Sequence, residues 1–359
     1  MSSIWGNQIK LSLFGESHGS AIGVTIDGLP SGFALNLDDI AREMARRAPG
    51  RSRLATARVE ADLPEILSGF FEGKTTGTPL CAMIRNNDQH SKDYGKLKDL
   101  MRPGHADYPG FVRYGGFNDY RGGGHFSGRI TAPLVFAGAV CKQILQTKGV
   151  RIAAHIFSIA GITDESFLNV SAENIDFDRL RNSEIPLLNP EKEQLMRDEV
   201  LRARSGLDSV GGVIECMITG VPAGVGNPFF DSVESSLSHL LFSIPAVKGV
   251  EFGLGFAISQ MRGSECNDSF YYGENGLIKT KTNHNGGLLG GITSGMPIIF
   301  KAAIKPTPSI AKPQSTINIK EQTNSKLTVT GRHDPCIVPR AVPVIEAAAA
   351  IAILDLLGG

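Results

Sequence analysis

One pattern of strand and turn residues occurs twice in this chain, and this repetition limits the folds that the chain can adopt. The segments "VTIDGLPSG" (24–32) and "CMITGVPAG" (216–224) both contain a strand-like run that ends in Gly, an apolar residue, Pro, a small residue and Gly. Further on, "TGTPLCAMIR" (76–85) is matched by "SGMPIIFKAAIK" (294–305). Matches in the same order predict a duplicated unit. Two intertwined copies would form a single domain over residues 1–359, with long buried helices between sheets.

Short apolar runs alternate with a few helix-like segments, which predicts a mixed α+β fold. The 42 glycines and 19 prolines separate these runs, as expected for residues that mark turns. Each copy of the repeat is followed by a helix that opens on an acid, at Asp38 after the N-cap Asn36 and at Asp231. Helical patterns cover 36–47, 131–149, 189–206 and the final run "VPVIEAAAAIAILDLL", which is apolar nearly all round and belongs in a core or a subunit interface.

Charge and cysteine content narrow the class of protein. The 36 Lys and Arg residues balance 36 Asp and Glu residues, so no overall field favours nucleic acid or a membrane surface, and any anion site must be local. We expect no signal peptide, because the start has no basic region followed by an apolar one. We expect no membrane span, because the final apolar run is interrupted by Glu346 and Asp355. Scattered cysteines predict a cytoplasmic protein without disulfides or a metal site, and they are Cys81, Cys141, Cys216, Cys266 and Cys336.

A run of arginines around a sharp bend is the first candidate for a site. The segment "RRAPGRSR" (46–53) bends at Pro49 and Gly50, and the neighbouring chain contains arginine but no lysine. Guanidinium groups bind phosphate and carboxylate with two hydrogen bonds, whereas lysine offers a point charge. The run therefore indicates recognition of a small, multiply charged anion. The alternative is a solvated basic helix face, which accounts for Arg42 and Arg46 but not for Arg51 and Arg53 beyond the bend.

Three glycine-rich loops are further candidates, each with a plainer alternative. "FGESHGS" (14–20) contains His18, and "RPGHADYPG" (102–110) contains His105 between an arginine and an aspartate. Two imidazoles could provide acid and base near neutral pH, although a lone histidine is more often structural, and the second loop could be a surface turn. "YRGGGHFSGR" (120–129) precedes a helix and could bind an anion or serve as a flexible connector.

Two other segments can be interpreted as ordinary turns. "SGFFEGKT" (68–75) lacks the glycine that a phosphate-binding P-loop requires at Ser68, so we interpret it as a turn. The segment "GRHDPCIVPR" (331–340) could be a polar turn before the last helix. No GxGxxG occurs, so a dinucleotide would not be bound by a Rossmann turn.

Taken together, these segments resemble chorismate synthases over most of the chain. The matching motifs, in order, are "FGESHG", "RRAPGRSR", "SGFFEGKTTGTP", "RPGHADY", "DYRGGGHFSGR", "AVKGVEFG", "GGLLGGITSGMPI", "IKPTPSI" and "GRHDPCIVPRAVPVIEA". The resemblance implies antiparallel sheets around central helices and the anti-1,4-elimination of phosphate from 5-enolpyruvylshikimate-3-phosphate to give chorismate. It also implies reduced FMN without net redox change, and a homotetramer. Two sources of reduced flavin stay open: the protein reduces its own FMN, with NADPH as indirect reductant, or it takes reduced flavin from a separate flavin reductase. The lack of a reductase-like domain favours the second.

The resemblance also implies roles for individual residues. His18 would protonate the departing phosphate, His105 would lie near flavin N1, and Asp334 would help flavin N5 accept the substrate proton. That substrate carries a phosphate and two carboxylates, which matches the anion expected at the arginine run. The implied substrate-binding residues are Ser17, Arg47, Arg53, Arg102, Ser127, Arg129 and Arg332.

The implied flavin site contains two departures from the common family pattern. Many members have RSS where this chain has His125, Phe126 and Ser127, and NA or QA where it has Pro245 and Ala246. One arginine and one amide are therefore missing, so FMN affinity could differ. The other implied flavin residues are Gly290, Lys305, Pro306, Thr307, Pro308, Ser309 and Arg332. The rival hypotheses are a non-catalytic phosphate or RNA binder, which zero net charge disfavours, and a flavin oxidoreductase.

Overall fold

The computed structural model describes residues 3–50, 62–86, 98–329 and 334–358. These residues form two five-stranded antiparallel sheets and four small hairpins. The first sheet has the spatial order β1 (Ile4–Trp5), β2 (Lys10–Gly15), β3 (Ala21–Asp27), β7 (Leu80–Arg85) and β4 (Pro64–Ser68). The second has the order β11 (Val247–Phe252), β16 (Ile298–Ile304), β10 (Gly212–Thr219), β8 (Arg151–Ile159) and β9 (Ile162–Thr163). The hairpins are β5 (Phe70–Phe71) with β6 (Lys74–Thr75), β12 (Phe270–Tyr272) with β13 (Ile278–Thr280), β14 (Leu288–Leu289) with β15 (Ile292–Thr293), and β17 (Gln314–Asn318) with β18 (Thr323–Leu327).

The repeated segments occupy equivalent positions in the two sheets. The first copy forms β3 and β7, which pair so that Ile26 lies opposite Leu80. The second copy forms β10 and β16, which pair so that Ile218 lies opposite Ile298. Each pair is flanked by a further strand on both sides, β2 and β4 in the first sheet and β8 and β11 in the second. The sequence match is therefore also a match in strand order and register.

A buried threonine makes the same hydrogen bonds in both copies. Thr75 Oγ1 donates to the Pro30 carbonyl at 2.5 Å, and Thr293 Oγ1 donates to the Pro222 carbonyl at 2.6 Å. Each hydroxyl also accepts from the backbone N–H three residues after its proline, at 3.1 Å and 2.9 Å. The same pair of threonine hydrogen bonds thus holds the turn after the repeated strand in each half. These matches support the proposed duplication, which as a statement about the chain's origin stays a prediction.

Two long helices form the layer between the sheets. The first, α3 (Thr131–Thr147), packs on β3 and β7, and the second, α8 (Val338–Leu356), packs on β8 and β10. Gly138 of α3 lies so close to Ala347 of α8 that a Cβ atom would not fit between them. Both helices contact α1 (Leu37–Arg47), and α6 (Val233–Ser243) packs on α8. The predicted α+β sandwich with antiparallel sheets around central helices is confirmed. The remaining helices are α2 (Asp107–Arg113), α4 (Phe177–Asn182), α5 (Glu193–Ser205) and α7 (Gly263–Cys266).

The predicted helix starts are confirmed where a capping side chain decides them. The Asn36 side chain accepts from the backbone N–H of Asp39 at 3.0 Å, so α1 begins at Leu37. The start predicted at Asp231 is wrong by two residues. Ser232 Oγ accepts from the N–H of Ser235 at 3.0 Å, and this hydroxyl caps the helix in place of the acid. Asp231 lies in the short 3₁₀ turn before it.

The charged residue in the middle of α8 is compensated by two cations. Glu346 is 3% exposed, and it accepts hydrogen bonds from Arg46 Nη2 at 2.9 Å and from Lys142 Nζ at 2.5 Å. Buried carboxylates are tolerated when they are paired in this way. Arg46 is therefore neither solvated nor free for a ligand, whereas Arg42 is exposed and pairs with Asp39, as the solvated-face interpretation predicts.

None of the described helices is long and apolar enough to cross a membrane. The five cysteines are free thiols. The segment that superficially resembles a P-loop forms the β5–β6 hairpin, which confirms its interpretation as a turn.

Candidate active site

Three consecutive glycines form a backbone arch against two of the predicted histidines. Gly122, Gly123 and Gly124 have φ angles of 59°, 87° and 54°, a region that glycine adopts readily and other residues avoid. A Cβ atom on Gly122 would overlap Nδ1 and Cε1 of His18. A Cβ atom on Gly123 would lie 2.9 Å from Nε2 of His105. The arch therefore brings together two loops that are far apart in sequence, one around each imidazole.

The loop that contains His18 is fixed by the arch and by the end of β7. The N–H of Ser17 donates to the Gly124 carbonyl at 3.1 Å. The Asn86 side chain donates to the carbonyls of Glu16 at 3.1 Å and Gly19 at 2.9 Å, one on each side of His18. Ser17 is 1% exposed and His18 is 5% exposed. The loop is thus fixed on both sides of His18 by hydrogen bonds to its backbone, which do not involve the imidazole ring.

The second loop is held together by an internal carboxylate. Asp107 accepts from Nε of Arg102 at 2.7 Å and from its Nη2 at 2.8 Å, and it lies 2.7 Å from Nδ1 of His105. Burial alone would raise the pKa of Asp107, but the hydrogen bonds from Arg102 and His105 hold it well below its usual range. The same Arg102 extends Nη1 toward Ser309 Oγ, 3.5 Å away. The loop that could have been a solvated surface turn is therefore a rigid, partly buried ion cluster.

Two predicted anion-binding arginines share one buried carboxylate. Asp62 accepts from Arg47 through Oδ2 and from Arg129 through Oδ1, and its side chain has no exposed surface. Arg47 also donates from Nε to Thr131 Oγ1 at 3.2 Å and from Nη2 to the Gly128 carbonyl at 3.3 Å. Burial, together with the nearby charges of Arg340 and Arg129, lowers the pKa of Arg47 to about 10 against the opposing effect of Asp62. Asp62 therefore fixes the two guanidinium groups relative to each other.

One further arginine connects Asp334 to this cluster. Nη1 of Arg340 donates to the Asp334 carboxylate, and Nε of the same side chain donates to the backbone carbonyl of Arg47 at 3.0 Å. On the other side of the cluster, Nε of Arg129 donates to Asn86 Oδ1 at 3.0 Å. A continuous set of contacts thus runs from Asp334 through the arginines to the loop of His18.

A third segment borders the loop of His105. Lys305 donates from Nζ to the Gly104 carbonyl and from its backbone N–H to the Ala246 carbonyl at 2.9 Å. Burial and the charge of Lys248 lower the pKa of Lys305. The Oγ1 atom of Thr307 is buried and, among the described residues, has no hydrogen-bond partner. This edge of the site thus offers a cation and an unused hydroxyl to a ligand.

Comparison with known proteins identifies the family. The model of the family described as chorismate synthase matches residues 9–357. The chain belongs to the chorismate synthase family. It is 45% identical over 351 residues to a chorismate synthase of Thermococcus kodakarensis, covering 98% of this chain and 96% of the relative. The chorismate synthase of Methanocella arvoryzae is 47% identical over 351 residues, covering 98% of this chain and 93% of the relative.

A solved structure supports the same conclusion for the fold. The crystal structure of a chorismate synthase has a TM-score of 0.78 to this chain with 29% sequence identity. The likeness covers 98% of this chain and 92% of that one. Family membership makes the chain a carbon–oxygen lyase of aromatic biosynthesis that depends on a reduced flavin.

The described residues of the predicted substrate set lie around the glycine arch. Ser17 bonds to the arch, Arg102 contacts His105, and Ser127 Oγ accepts from the N–H of Arg129 at 3.3 Å. Arg47 joins them through Asp62. Arg53 and Arg332 lie outside the described residues. The roles that the chorismate synthase family implies for these side chains stay predictions.

Apart from His125, Phe126 and Ser127 in and beside the glycine arch, the described residues of the predicted flavin set fall into two groups. Ala246, Lys305, Thr307 and Ser309 lie together beside the loop of His105, with Pro245, Pro306 and Pro308 in the same two segments. Gly290 lies at the turn of the β14–β15 hairpin. The hydrogen bonds described for that hairpin connect it to the loop before α6 rather than to the arch.

His125 and Phe126, which differ from the common family pattern, are held by this chain's own contacts. His125 is exposed, with Nδ1 2.8 Å from the Gly15 carbonyl oxygen. The Phe126 ring packs on Gly110 of α2 and lies 6.1 Å, centroid to centroid, from the ring of Tyr114. Phe126 therefore anchors α2 beside the site, which a small polar residue would not do.

Asp62, Asn86 and Arg340 were not selected from the sequence. Asp62 precedes β4 and Asn86 follows β7, without a glycine-rich or arginine-rich motif around either. Arg340 lies in the motif "GRHDPCIVPR" (331–340), in which the sequence points to Arg332 and Asp334 instead. Their importance comes mainly from contacts with residues that are distant in sequence: Arg129 lies 67 positions from Asp62 and 43 from Asn86, and Arg47 lies 293 positions from Arg340. No local signal exists for such contacts.

Proposed function

We propose that this site eliminates phosphate from 5-enolpyruvylshikimate-3-phosphate to give chorismate, with reduced FMN as cofactor. The observation that carries the proposal is the glycine arch, in which Gly122 lies against His18 and the adjacent Gly123 lies against His105, with the buried Arg102 in contact with His105. The membership of the chorismate synthase family supplies the reaction, and the arch supplies a place where acid, cofactor-side imidazole and anion-binding groups meet.

The charge of the site suits a substrate with one phosphate and two carboxylates. Arg47 and Arg129 share the single carboxylate of Asp62, so this trio keeps a net positive charge. Rigid, partly desolvated guanidinium groups bind such anions with less loss of entropy than flexible surface lysines do. We expect Arg102, Ser17 and Ser127 to complete the contacts, together with Arg53 and Arg332.

His18 is placed to donate a proton to the phosphate oxygen as the C–O bond breaks. Its ring is buried, its loop is held by Asn86, and it lies near the carboxylate of Asp119, which Arg121 also contacts. A neutral or protonated leaving group departs more easily than a trianion, and a positioned acid contributes a rate factor of roughly 10²–10⁴.

The residues fit reduced FMN on the evidence of the unused Thr307 hydroxyl and the adjacent Lys305 cation. Lys305, Thr307 and Ser309 would hold its polar and anionic groups, and His105, Phe126 and Ala246 would contribute to the same site. When bound, the reduced flavin would supply the electron-rich group that makes a hydrogen not adjacent to a carbonyl removable. His105 is oriented by Asp107 and Asp334 by Arg340, so both side chains are fixed before ligands arrive. NADPH as indirect reductant, a separate flavin reductase, a homotetramer and a cytoplasmic location stay predictions.

The test is turnover of the purified full chain with that substrate and dithionite-reduced FMN under anaerobic conditions. We expect the unmodified protein to form chorismate, and His18→Ala to lose about 10²–10⁴-fold of turnover while keeping its fold. His239→Ala, on α6, is the matched control and should keep its activity. Absence of chorismate with the unmodified protein would overturn the proposal, and near-normal turnover of His18→Ala would remove His18 from the reaction. Net oxidation of a product would favour a flavin oxidoreductase.

A further inference from the structure

We propose that Asp62 is a positioning residue that orients Arg47 and Arg129 for the substrate's anionic groups. The inference rests on the proposed function and adds a residue to it. The carboxylate bridges the two guanidinium groups, one through each oxygen, and it is fully enclosed by the protein. Because the carboxylate of Asp62 is enclosed in this way, it can act on a ligand only through the two arginines.

The bridge joins three separate parts of the chain. Arg47 ends α1, Arg129 lies in the turn before α3, and Asp62 precedes β4. Further donors of both arginines are also fixed, from Arg47 to Thr131 and Gly128 and from Arg129 to Asn86. Each guanidinium plane is thus defined by at least two acceptors, which is the geometry needed for two-point recognition of phosphate or carboxylate.

The electrostatics support positioning rather than charge neutralisation as the role of Asp62. Arg47 and Arg129 are close enough to repel each other, since the charge of Arg129 lowers the pKa of Arg47. Without the carboxylate between them, the two groups would separate or turn away. Burial raises the pKa of Asp62, but Arg47 and Arg129 outweigh burial and lower it, so the side chain is ionised.

These two roles predict opposite results for Asp62→Asn. Removing a negative charge from an anion site should by itself strengthen anion binding, whereas loss of orientation should weaken it. The backbone tolerates the change, because Asp62 has φ 47° and asparagine adopts this region at least as readily as aspartate. The amide can also accept only one of the two guanidinium hydrogen bonds through its oxygen.

The experiment measures KM and kcat for the phosphosubstrate, and the dissociation constant of inorganic phosphate by calorimetry, in the full chain. We expect Asp62→Asn to raise the substrate KM by about tenfold or more, with a smaller effect on kcat, and to weaken phosphate binding in parallel. Glu65→Gln is the matched control, because Glu65 pairs with Arg85 at an exposed position three residues further along the chain. It should change neither constant.

Unchanged or tighter binding of substrate and phosphate by Asp62→Asn would overturn the inference. If this variant does not fold, Thr131→Val tests the same point, because it removes an acceptor of Arg47 without changing charge and nearly without changing shape. An unchanged KM in Thr131→Val would then contradict the positioning role. Failure of the proposed function is distinguishable, because it would leave the unmodified protein without chorismate formation, while the phosphate titrations of the variants would still report on the arginines.

Discussion

Gly122 lies directly against the imidazole of His18, with no room for a side chain between them. The neighbouring Gly123 has the same relationship to His105. Gly122 and Gly123 therefore do more than permit a turn. Their missing Cβ atoms make the space in which the two rings sit, and their backbone positions both rings relative to the arginines.

We expect Gly122→Ala to abolish most turnover by displacing His18. The substitution also costs roughly 1–2 kcal/mol of folding free energy, because φ is 59° at this position. Gly149→Ala is the matched control, since Gly149 has φ 79° and open space around its Cβ position. Gly122→Ala should melt below Gly149→Ala, because its Cβ atom must also displace His18, but the two kcat values should differ far more than this loss of stability explains. Equal activity in both would mean that His18 is not held by the arch.

We expect Arg47→Lys to raise the substrate KM by about tenfold or more, although the charge is conserved. Lysine cannot donate at once to Asp62, Thr131 and Gly128, so the anion site would lose its geometry. Arg42→Lys on the same helix is the control, because Arg42 is exposed and bonds only to Asp39 among its described hydrogen bonds. Steady-state kinetics with reduced FMN decide the point, and an unchanged KM for Arg47→Lys would return this residue to a structural role.

A buried histidine outside the site predicts how stability depends on pH. His155 is 0% exposed, with Nδ1 3.1 Å from Asp164 and Nε2 2.9 Å from Glu215. Burial would lower the pKa of His155, but these two carboxylates outweigh it and raise the pKa above its usual value of about 6.5. Its contribution is therefore complete below pH about 6.5 and is lost as pH rises through the higher folded pKa, by up to about 1.4 kcal/mol per pH unit.

Denaturant unfolding from pH 6 to 9 checks this expectation. The unmodified protein should lose stability over this range more steeply than His155→Gln. His239→Gln, which changes a histidine on α6, should behave like the unmodified protein. Parallel pH profiles for the unmodified protein and His155→Gln would contradict a charged imidazole between the two carboxylates.

Much of the fold could be predicted because its signals are local. Asn36 defines the start of α1, and the apolar run from Val342 onward identifies a buried helix before its neighbours are known. The repeated strand and turn motifs anticipate the equivalent places of β3 and β10. The error at Asp231 has the same local origin, since the adjacent Ser232 competes for the same cap and its hydroxyl wins.

The residues of the site could be predicted better than the contacts between them. Glycine-rich loops and arginines stand out in a sequence, so His18, His105 and Arg129 were found. Which partner fixes each of them depends on how distant segments approach one another. Asp62 and Asn86 look like ordinary polar residues near strand ends. Only the folded chain places Asp62 between Arg47 and Arg129, and Asn86 between Arg129 and the loop of His18.

We expect FMN and the phosphosubstrate to strengthen each other's binding by the same factor. Arg102 contacts both His105 and Ser309, so residues assigned to substrate and to flavin are directly connected. Two anions in one site repel, so positive coupling requires the arginines and loop ordering to outweigh that repulsion, by roughly 1–3 kcal/mol. Fluorescence titration of FMN with and without substrate measures the coupling. Identical dissociation constants, or weaker flavin binding with substrate, would contradict a shared pocket.

We expect this chain to perform a phosphate elimination that needs reduced flavin but consumes none. The most direct measurement follows chorismate, inorganic phosphate and the flavin spectrum together in one anaerobic reaction with the unmodified protein. We expect equal amounts of chorismate and phosphate over many turnovers, with the flavin still reduced at the end and no product when it is oxidised at the start. Flavin oxidation in proportion to product, or phosphate release without chorismate, would contradict it.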